Sequence, residues 1–131
     1  MGTIRRFEDL ESWQKACRLA NAIYDLTEQS RFAKDFKLRD QIRDAAGSVM
    51  HNIAEGFDAG YNPAFIRFLK LARRSASEVQ SELYLALDRK YITQEELDSA
   101  YNFATEAKQL INAFIAYLRR HKPPAHNNKT I

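Results

Sequence analysis

The segment NPAFIRFLKLARRSASEVQSELYLALDRK, residues 62–90, decides the fold. Asn62 followed by Pro63 is typical of a helix start, with asparagine as the N-cap and proline at the first helical position. Apolar residues then recur at three- and four-residue steps, which places them on one face of a helix that runs to about Lys90. This apolar stripe consists of Phe65, Phe68, Leu69, Ala72, Ala76, Val79, Leu83, Ala86 and Leu87.

Two helices are predicted before this segment. The first takes Asp9 as its N-cap and ends at about Ser30, and residues 31–34 form a short connection. The second takes Asp35 as its N-cap. It ends at Gly56, because a residue without Cβ suits the left-handed conformation that commonly closes a helix.

A fourth helix is predicted to begin at residues 93–96, whose sequence Thr-Gln-Glu-Glu is a capping box. It runs to about His121, where two prolines follow, and residues 123–131 are predicted to be a flexible C-terminal tail. Connections of a few residues force successive helices to lie antiparallel. Residues 1–122 are therefore predicted to form one all-α domain, an antiparallel up-down-up-down four-helix bundle.

The apolar residues of the fourth helix exceed what one bundle face requires. They cover an arc of about 200°, whereas a helix in a simple bundle needs a stripe a little over 100° wide. On the third helix, Ile66, Leu71 and Leu85 also point away from the stripe. Surplus apolar surface usually marks a protein–protein interface, although singly exposed apolar residues are common. The predicted self-association surface contains Phe103, Leu110, Phe114, Ile115, Tyr117, Leu71 and Leu85.

The motifs argue against an enzyme. A di-iron bundle needs Glu-x-x-His on two helices, and the sequence lacks this pattern, while its histidines at 51, 121 and 126 are scattered. Cys17 is the single cysteine, so the sequence contains no CxxC pair and no zinc ligand set. It also lacks a nucleophile elbow, a phosphate-binding loop and a dinucleotide fingerprint. We therefore expect a non-catalytic protein without a metal or cofactor.

A polar group interrupts the inward face of the second helix. Asn52 falls one turn after Ser48 on that face, and Glu55 lies just before Gly56. An inward asparagine needs hydrogen-bond partners, because an unsatisfied buried amide destabilises the fold. Asn52, Glu55 and Ser75 are therefore predicted to form a structural network between the second and third helices, with a ligand site as the alternative.

The net charge of +3 is unevenly distributed, since residues 63–131 carry 11 Lys and Arg against 7 Asp and Glu. Residues 63–77 contain no acidic residue at all. Such a cluster binds phosphate backbones by counterion release. Two alternatives are a solvated helix face and head-to-tail docking on the acidic end of a second copy, at Glu78 and Glu82. The candidate nucleic-acid-binding residues are Arg67, Lys70, Arg73, Arg74, Arg119, Arg120 and Lys122.

The location expected from the sequence is the cytoplasm. No apolar run approaches the roughly 20 residues that cross a bilayer, so we expect no membrane contact. The first residues, Met-Gly-Thr-Ile-Arg-Arg, have no apolar stretch behind them and do not form a signal peptide.

Two blocks of the sequence carry a resemblance to a known family. They are Phe-Glu-Asp-Leu at residues 7–10, with Trp13 and Ala16 after it, and Gln-Ile-Arg-x-Ala-Ala-x-Ser-Val-x-x-Asn-Ile-Ala-Glu-Gly at residues 41–56. Together they resemble the four-helix-bundle proteins encoded in intervening sequences of bacterial large-subunit ribosomal RNA. The similarity extends over about residues 7–118, nearly the whole predicted bundle.

The resemblance implies a bundle that assembles into a ring of five, similar to the accessory proteins of diversity-generating retroelements. Those proteins bind nucleic acid and a reverse transcriptase through a basic ring surface. We therefore expect a homo-oligomer, pentameric by this resemblance, that acts as a non-enzymatic accessory and binds RNA or DNA. The alternative is a protein-binding adaptor or scaffold with no nucleic-acid role.

Overall fold

The computed structural model of the chain describes residues 4–121. The predicted tail at 123–131, and Lys122 of the predicted basic set, lie outside the described residues. The described part contains one turn of 3-10 helix and five α-helices. Their bounds are Phe7–Asp9 for the 3-10 turn, Glu11–Thr27 for α1, Ser30–Lys34 for α2, Phe36–Ala59 for α3, Asn62–Asp88 for α4 and Gln94–Arg120 for α5.

The four long helices α1, α3, α4 and α5 form the bundle. Helices α1 and α4 each pack against both α3 and α5, so the contacts close around one core. Lys15 near the start of α1 meets Glu106 at 3.1 Å, whereas Gln29 beyond its end meets Glu96 at 2.7 Å. These contacts make α1 antiparallel to α5, and short connections do the same for α3, α4 and α5. The predicted all-α, up-down-up-down fold is confirmed.

The apolar stripe predicted on α4 forms its buried face. Opposite it, large aliphatic side chains such as Ile42 of α3 and Ile111 of α5 are fully buried. Burying each side chain of this size stabilises the fold by about 1.5–3 kcal/mol. The buried residues of the stripe are Phe65, Leu69, Ala72, Ala76, Val79, Leu83 and Ala86, and the half-buried ones are Phe68 and Leu87.

The connection predicted at residues 31–34 is in fact helical, as part of α2. Phe32 is fully buried and its ring lies 5.3 Å from the ring of Tyr91, so core packing orders the segment. Asp35 caps the next helix as predicted, because its Oδ1 accepts a hydrogen bond from the backbone N–H of Leu38 at 3.1 Å.

The predicted bounds of the first helix were wrong at both ends. Asp9 belongs to the 3-10 turn, and Leu10, in extended conformation, is the residue that precedes α1. The helix ends at Thr27 rather than at about Ser30. A threonine hydroxyl can donate a hydrogen bond to a backbone carbonyl of the preceding helical turn. The hydroxyl of Thr27 donates such a bond to Ile23 O at 2.8 Å.

The predicted end of the second long helix, at Gly56, was also wrong. Helix α3 continues through Gly56 to Ala59 and ends at Gly60, whose φ of 86° is left-handed. Gly56 is required for a different reason. A Cβ at this position would lie 2.7 Å from Cδ1 of Phe65 and 2.9 Å from Cβ of Phe68. The missing side chain therefore lets α3 and α4 approach closely.

Asn62 does not cap α4 as predicted, because it lies within the helix and Tyr61 precedes it. Its Nδ2 instead donates to the carbonyl oxygens of Leu118 at 2.9 Å and His121 at 3.3 Å. These carbonyls end α5 and have no partner within their own helix. Asn62 thus fixes the start of α4 against the end of α5. Pro63 is the second residue of α4, one position later than predicted, and still lies in the first turn.

The capping box predicted at the start of α5 is confirmed. The backbone N–H of Glu96 donates to Thr93 Oγ1 at 3.1 Å, and the backbone N–H of Thr93 donates to Glu96 Oε1 at 2.9 Å. None of the helices described between residues 4 and 121 combines the length and apolarity that crossing a membrane requires.

Candidate nucleic-acid interface

Four basic side chains form a continuous surface on the first half of α4, here called the α4 basic surface: Arg67, Lys70, Arg73 and Arg74. Arg67, Lys70 and Arg74 are all exposed. Their spacing of three and then four residues places them along one outward line of the helix. The surface therefore presents three cations to solvent over two helical turns.

The structure holds two of these four side chains in place. Arg73 is half-buried, and its Nη1 donates to Oδ1 of Asn112 on α5 at 2.7 Å. The guanidinium carbon of Arg67 lies 5.2 Å from the centre of the Phe68 ring, within the range of a cation–π contact. Side chains fixed in this way lose less conformational entropy when they bind a partner.

The second predicted basic cluster lies at the same end of the bundle. Arg119 and Arg120 are exposed in the last turn of α5. The hydrogen bond from Asn62 to Leu118 O, 2.9 Å long, places this turn beside the start of α4. The fold therefore places two clusters that are about 50 residues apart in the sequence on neighbouring helices, toward one end of the bundle.

These cations are not neutralised by acidic partners. The ion pairs found among residues 4–121 are Arg6–Glu8, Lys15–Glu106 and Arg39–Asp40. None of them involves the α4 basic surface or the end of α5. Arg74 and Glu78, one turn apart on α4, do not approach within ion-pair distance in the described part of the chain. The surface retains its positive charge for a partner.

The predicted polar network is centred on Ser48. Asn52 Nδ2 donates to the Ser48 carbonyl and hydroxyl oxygens, both at 2.8 Å, and Ser75 Oγ donates to the Ser48 hydroxyl at 2.9 Å. Ser48 therefore links Asn52 of α3 to Ser75 of α4. Glu55 was wrongly included in this network, since it is exposed. Ser48, Asn52 and Gly56 follow a four-residue spacing along α3, and Glu55 lies about 100° around the helix from Gly56.

The residues predicted for self-association differ in exposure. Leu85 is 49% exposed on α4. Ile115 was assigned to that surface wrongly, because it is only 3% exposed and belongs to the core. Helix α5 packs against both α1 and α4. The bundle therefore covers a wider part of the apolar arc of α5 than a single stripe would provide. The half-buried members are Leu71, Phe103, Leu110, Phe114 and Tyr117.

Comparison with protein families gives a match over most of this bundle. Residues 8–113 match the model of the family described as 23S rRNA-intervening sequence protein. The chain belongs to this family. A solved structure from Bacteroides thetaiotaomicron, described as a protein of unknown function from the S23 ribosomal protein family, has a similar fold. It is 30% identical, with a TM-score of 0.74, and the match covers 79% of this chain and 97% of that one. No curated protein matches.

This member of the intervening sequence family also has a groove of about 800 Å³ between α1 and α5. Lys15 and Glu106, which form an ion pair at 3.1 Å, line it together with Tyr84 and Phe103. Within residues 4–121 no three His, Cys, Asp or Glu side chains gather closely enough to hold a metal ion. The groove therefore offers an aromatic surface beside a neutralised charge pair.

Helix α4 also carries a carboxyl group with a perturbed pKa, which the sequence interpretation treated only as part of an acidic end. Burial, together with the nearby charge of Glu78, raises the pKa of Glu82 to about 7. Its Oε1 atom is buried, and no hydrogen-bond partner for it lies in the described part of the chain. Glu82 is therefore a source of pH-dependent stability.

Two aromatic residues at the basic end were missed by sequence reasoning. Tyr61 is 55% exposed in the turn before α4. His121, directly after α5, is also exposed, and its ring stacks on Tyr117. In the sequence, Tyr61 is recognisable only as a large aromatic residue in a predicted turn. That position does not indicate which residues lie beside it in the fold.

Proposed function

We propose that this chain is a non-catalytic nucleic-acid-binding accessory protein. The proposal rests on one observation: the exposed cations on the first half of α4 lie toward the same end of the bundle as Arg119 and Arg120, and none of them has an acidic partner within residues 4–121. A phosphate backbone that binds such a surface releases its condensed counterions into solution, and this contribution to binding does not depend on the base sequence. Membership in a family named for an intervening sequence of 23S rRNA makes RNA the first ligand to test.

The proposed working form is a homo-oligomer, a ring of five copies. The exposed Leu85 and the half-buried Phe103, Leu110 and Phe114 support this form, because an interface would remove their apolar surface from water. Copies arranged in a ring would multiply the basic surface and so raise the avidity for a long polyanion.

The salt dependence of RNA binding tests the proposed function. Replacing Arg67, Lys70 and Arg74 with alanine removes three exposed cations without touching the core. The slope of log K against log salt for a single-stranded RNA should fall by about 2, since each phosphate contact contributes about 0.7. Fluorescence anisotropy at a series of salt concentrations from about 50 to 300 mM measures that slope.

A matched control removes the same charge from the other end of the bundle. Lys34 is exposed at the end of α2, Lys37 at the start of α3 and Arg89 directly after α4. Their replacement with alanine should leave the slope within about 0.5 of wild type, because they make no phosphate contact. An equal loss in both variants, or no RNA binding by wild type at 50 mM salt, contradicts the proposal.

The assembly is tested by native mass spectrometry of the untagged protein. A mass five times the 15.2 kDa of one chain is expected. Leu85→Glu should shift the distribution to smaller species, because it places a charge in an apolar contact. A wild-type monomer at micromolar concentration excludes the ring and leaves the phosphate-binding surface to be tested separately.

A further inference from the structure

The basic end of the bundle presents aromatic rings as well as cations. Tyr61 is 55% exposed immediately before α4, and His121 is exposed immediately after α5. The Nδ2 of Asn62 lies 3.3 Å from the carbonyl oxygen of His121 and 2.9 Å from that of Leu118. The two rings therefore belong to adjoining segments of one surface, although 60 residues separate them in the sequence.

The ring of His121 is already held in a stack. It lies 4.2 Å from the ring of Tyr117 at an interplanar angle of 20°. Its Nδ1 is 3.0 Å from the carbonyl oxygen of Tyr117, which fixes the orientation of the imidazole. Behind it, the ring of Phe114 is 6.2 Å from that of Tyr117 and 5.0 Å from that of Phe65, so the stack is supported by the core.

Cations also occur near the start of α4 and in the last turn of α5. Arg120 follows Tyr117 by three residues and so lies within about 60° of it around α5. The guanidinium of Arg67 lies over the ring of Phe68 near the start of α4. The acidic Asp58 is exposed in the last turn of α3 and lies about 200° around that helix from Gly56, which faces α4. Aromatic rings interleaved with cations are the pattern by which proteins bind unpaired nucleotides.

We propose that this end of the bundle binds single-stranded nucleic acid by stacking unpaired bases on Tyr61 and on the Tyr117–His121 pair. Arg67, Arg119 and Arg120 contact the phosphates on either side. The inference rests on the proposed nucleic-acid binding and narrows its ligand to unpaired segments. A duplex does not meet this requirement, since its bases are stacked on each other and their faces are covered.

The test compares a 12-nucleotide single strand with a blunt duplex of the same number of phosphates, by anisotropy at 50 mM salt. Wild type should bind the single strand at least about fivefold more tightly. The double variant Tyr61→Ala with His121→Ala should weaken that binding by about tenfold or more, the effect of losing base stacks. Its duplex binding should stay within about twofold of wild type, because the phosphate contacts remain.

The control is an exposed ring at the opposite end of the bundle. Phe36 is 64% exposed, and the guanidinium of Arg39 lies 4.9 Å from its ring, which imitates the pairing of ring and cation. Phe36→Ala should leave single-strand binding unchanged. Tyr61→Phe should also bind as wild type, because it keeps the stacking face of the ring.

The outcomes separate the two proposals. If wild type binds neither oligonucleotide, the proposed function fails and this inference fails with it. If wild type binds strand and duplex equally, or if the Tyr61 and His121 double variant loses both to the same extent, phosphate binding stands and the stacking surface is refuted.

Discussion

Gly56→Ala is expected to destabilise the bundle by about 1–2 kcal/mol, although alanine is the better helix former. The position lies inside α3, where replacing glycine ordinarily stabilises. Here the added Cβ would lie 2.7 Å from Cδ1 of Phe65, 3.2 Å from its Cε1 and 2.9 Å from Cβ of Phe68. Phe65 is only 8% exposed and packs edge-on against Phe57 and Phe114, so its ring has little room to move.

Gly47 provides the matched control within the same helix. A Cβ there would meet only Nε2 and Cδ2 of His51, at 3.7 and 3.8 Å, which is ordinary contact. Gly47→Ala should therefore stabilise the protein by about 0.5–1 kcal/mol through helix propensity alone. The two variants, each one methyl group larger than wild type, should differ by about 1.5–3 kcal/mol in the free energy of urea-induced unfolding.

Equal stabilities for the two alanine variants would contradict the close approach of α3 and α4 at Gly56. A second substitution, Gly56→Ser, checks the cause, because its larger side chain should destabilise more than alanine does. If the serine variant were as stable as the alanine variant or more stable, side-chain volume would not explain the requirement for glycine. That result would conflict with the short distances from a Cβ at Gly56 to Phe65 and Phe68.

Helix order and the buried face of α4 were predictable because they depend on local periodicity. A run of apolar residues at three- and four-residue steps needs no knowledge of its neighbours to identify the inward face. The capping box at Thr93 and Glu96 is equally local, since both hydrogen bonds lie within four residues. These features followed directly from the sequence.

The errors share a physical cause, which is contact between helices far apart in the sequence. Gly56 was predicted as a helix end because glycine is common there, yet its role depends on Phe65 across the helix pair. Asn62 was predicted to cap its own helix and instead satisfies carbonyls at the end of α5. Ile115 was assigned to the surface because the sequence does not show how much of α5 its neighbours cover.

The candidate site likewise combines features that the sequence predicts with features that depend on contacts between helices. The cations of the α4 basic surface could be listed from the sequence, because arginine and lysine at helical spacing form a charged line wherever the helix is exposed. Their position toward the same end of the bundle as Arg119 and Arg120 depends on the antiparallel register of α4 and α5. So does the proximity of the segments that carry Tyr61 and His121, which the hydrogen bonds of Asn62 hold together.

The stability of the bundle is expected to depend on the protonation of Glu82. Because burial is the main cause that raises the pKa of Glu82, to about 7, the ionised carboxylate destabilises the folded state. The folded protein binds a proton more tightly than the unfolded chain, whose value is near 4.5. This contribution to stability is therefore complete below pH 4.5 and is lost as the pH rises to about 7. The lowered pKa values of Asp40 and Glu96 act in the opposite direction, at lower pH.

Glu82→Gln should remove that dependence. Between pH 5 and pH 8 the free energy of unfolding of wild type is expected to fall by about 1–2 kcal/mol relative to that of the glutamine variant. This figure is reduced for partial solvent screening of the carboxylate. Urea denaturation of both proteins at half-unit pH steps measures the difference in slope, which is independent of the other titrating groups that the two share.

Glu78→Gln supplies the control, because the charge of Glu78 is the smaller cause of the shift and this side chain is itself exposed. It should move the fall in stability to lower pH without abolishing it, since burial of Glu82 persists. Parallel curves for wild type and Glu82→Gln would mean that the carboxyl reaches water in solution. The buried position of its Oε1 atom, which has no partner in the described residues, would then not be the position that this atom takes in the folded protein.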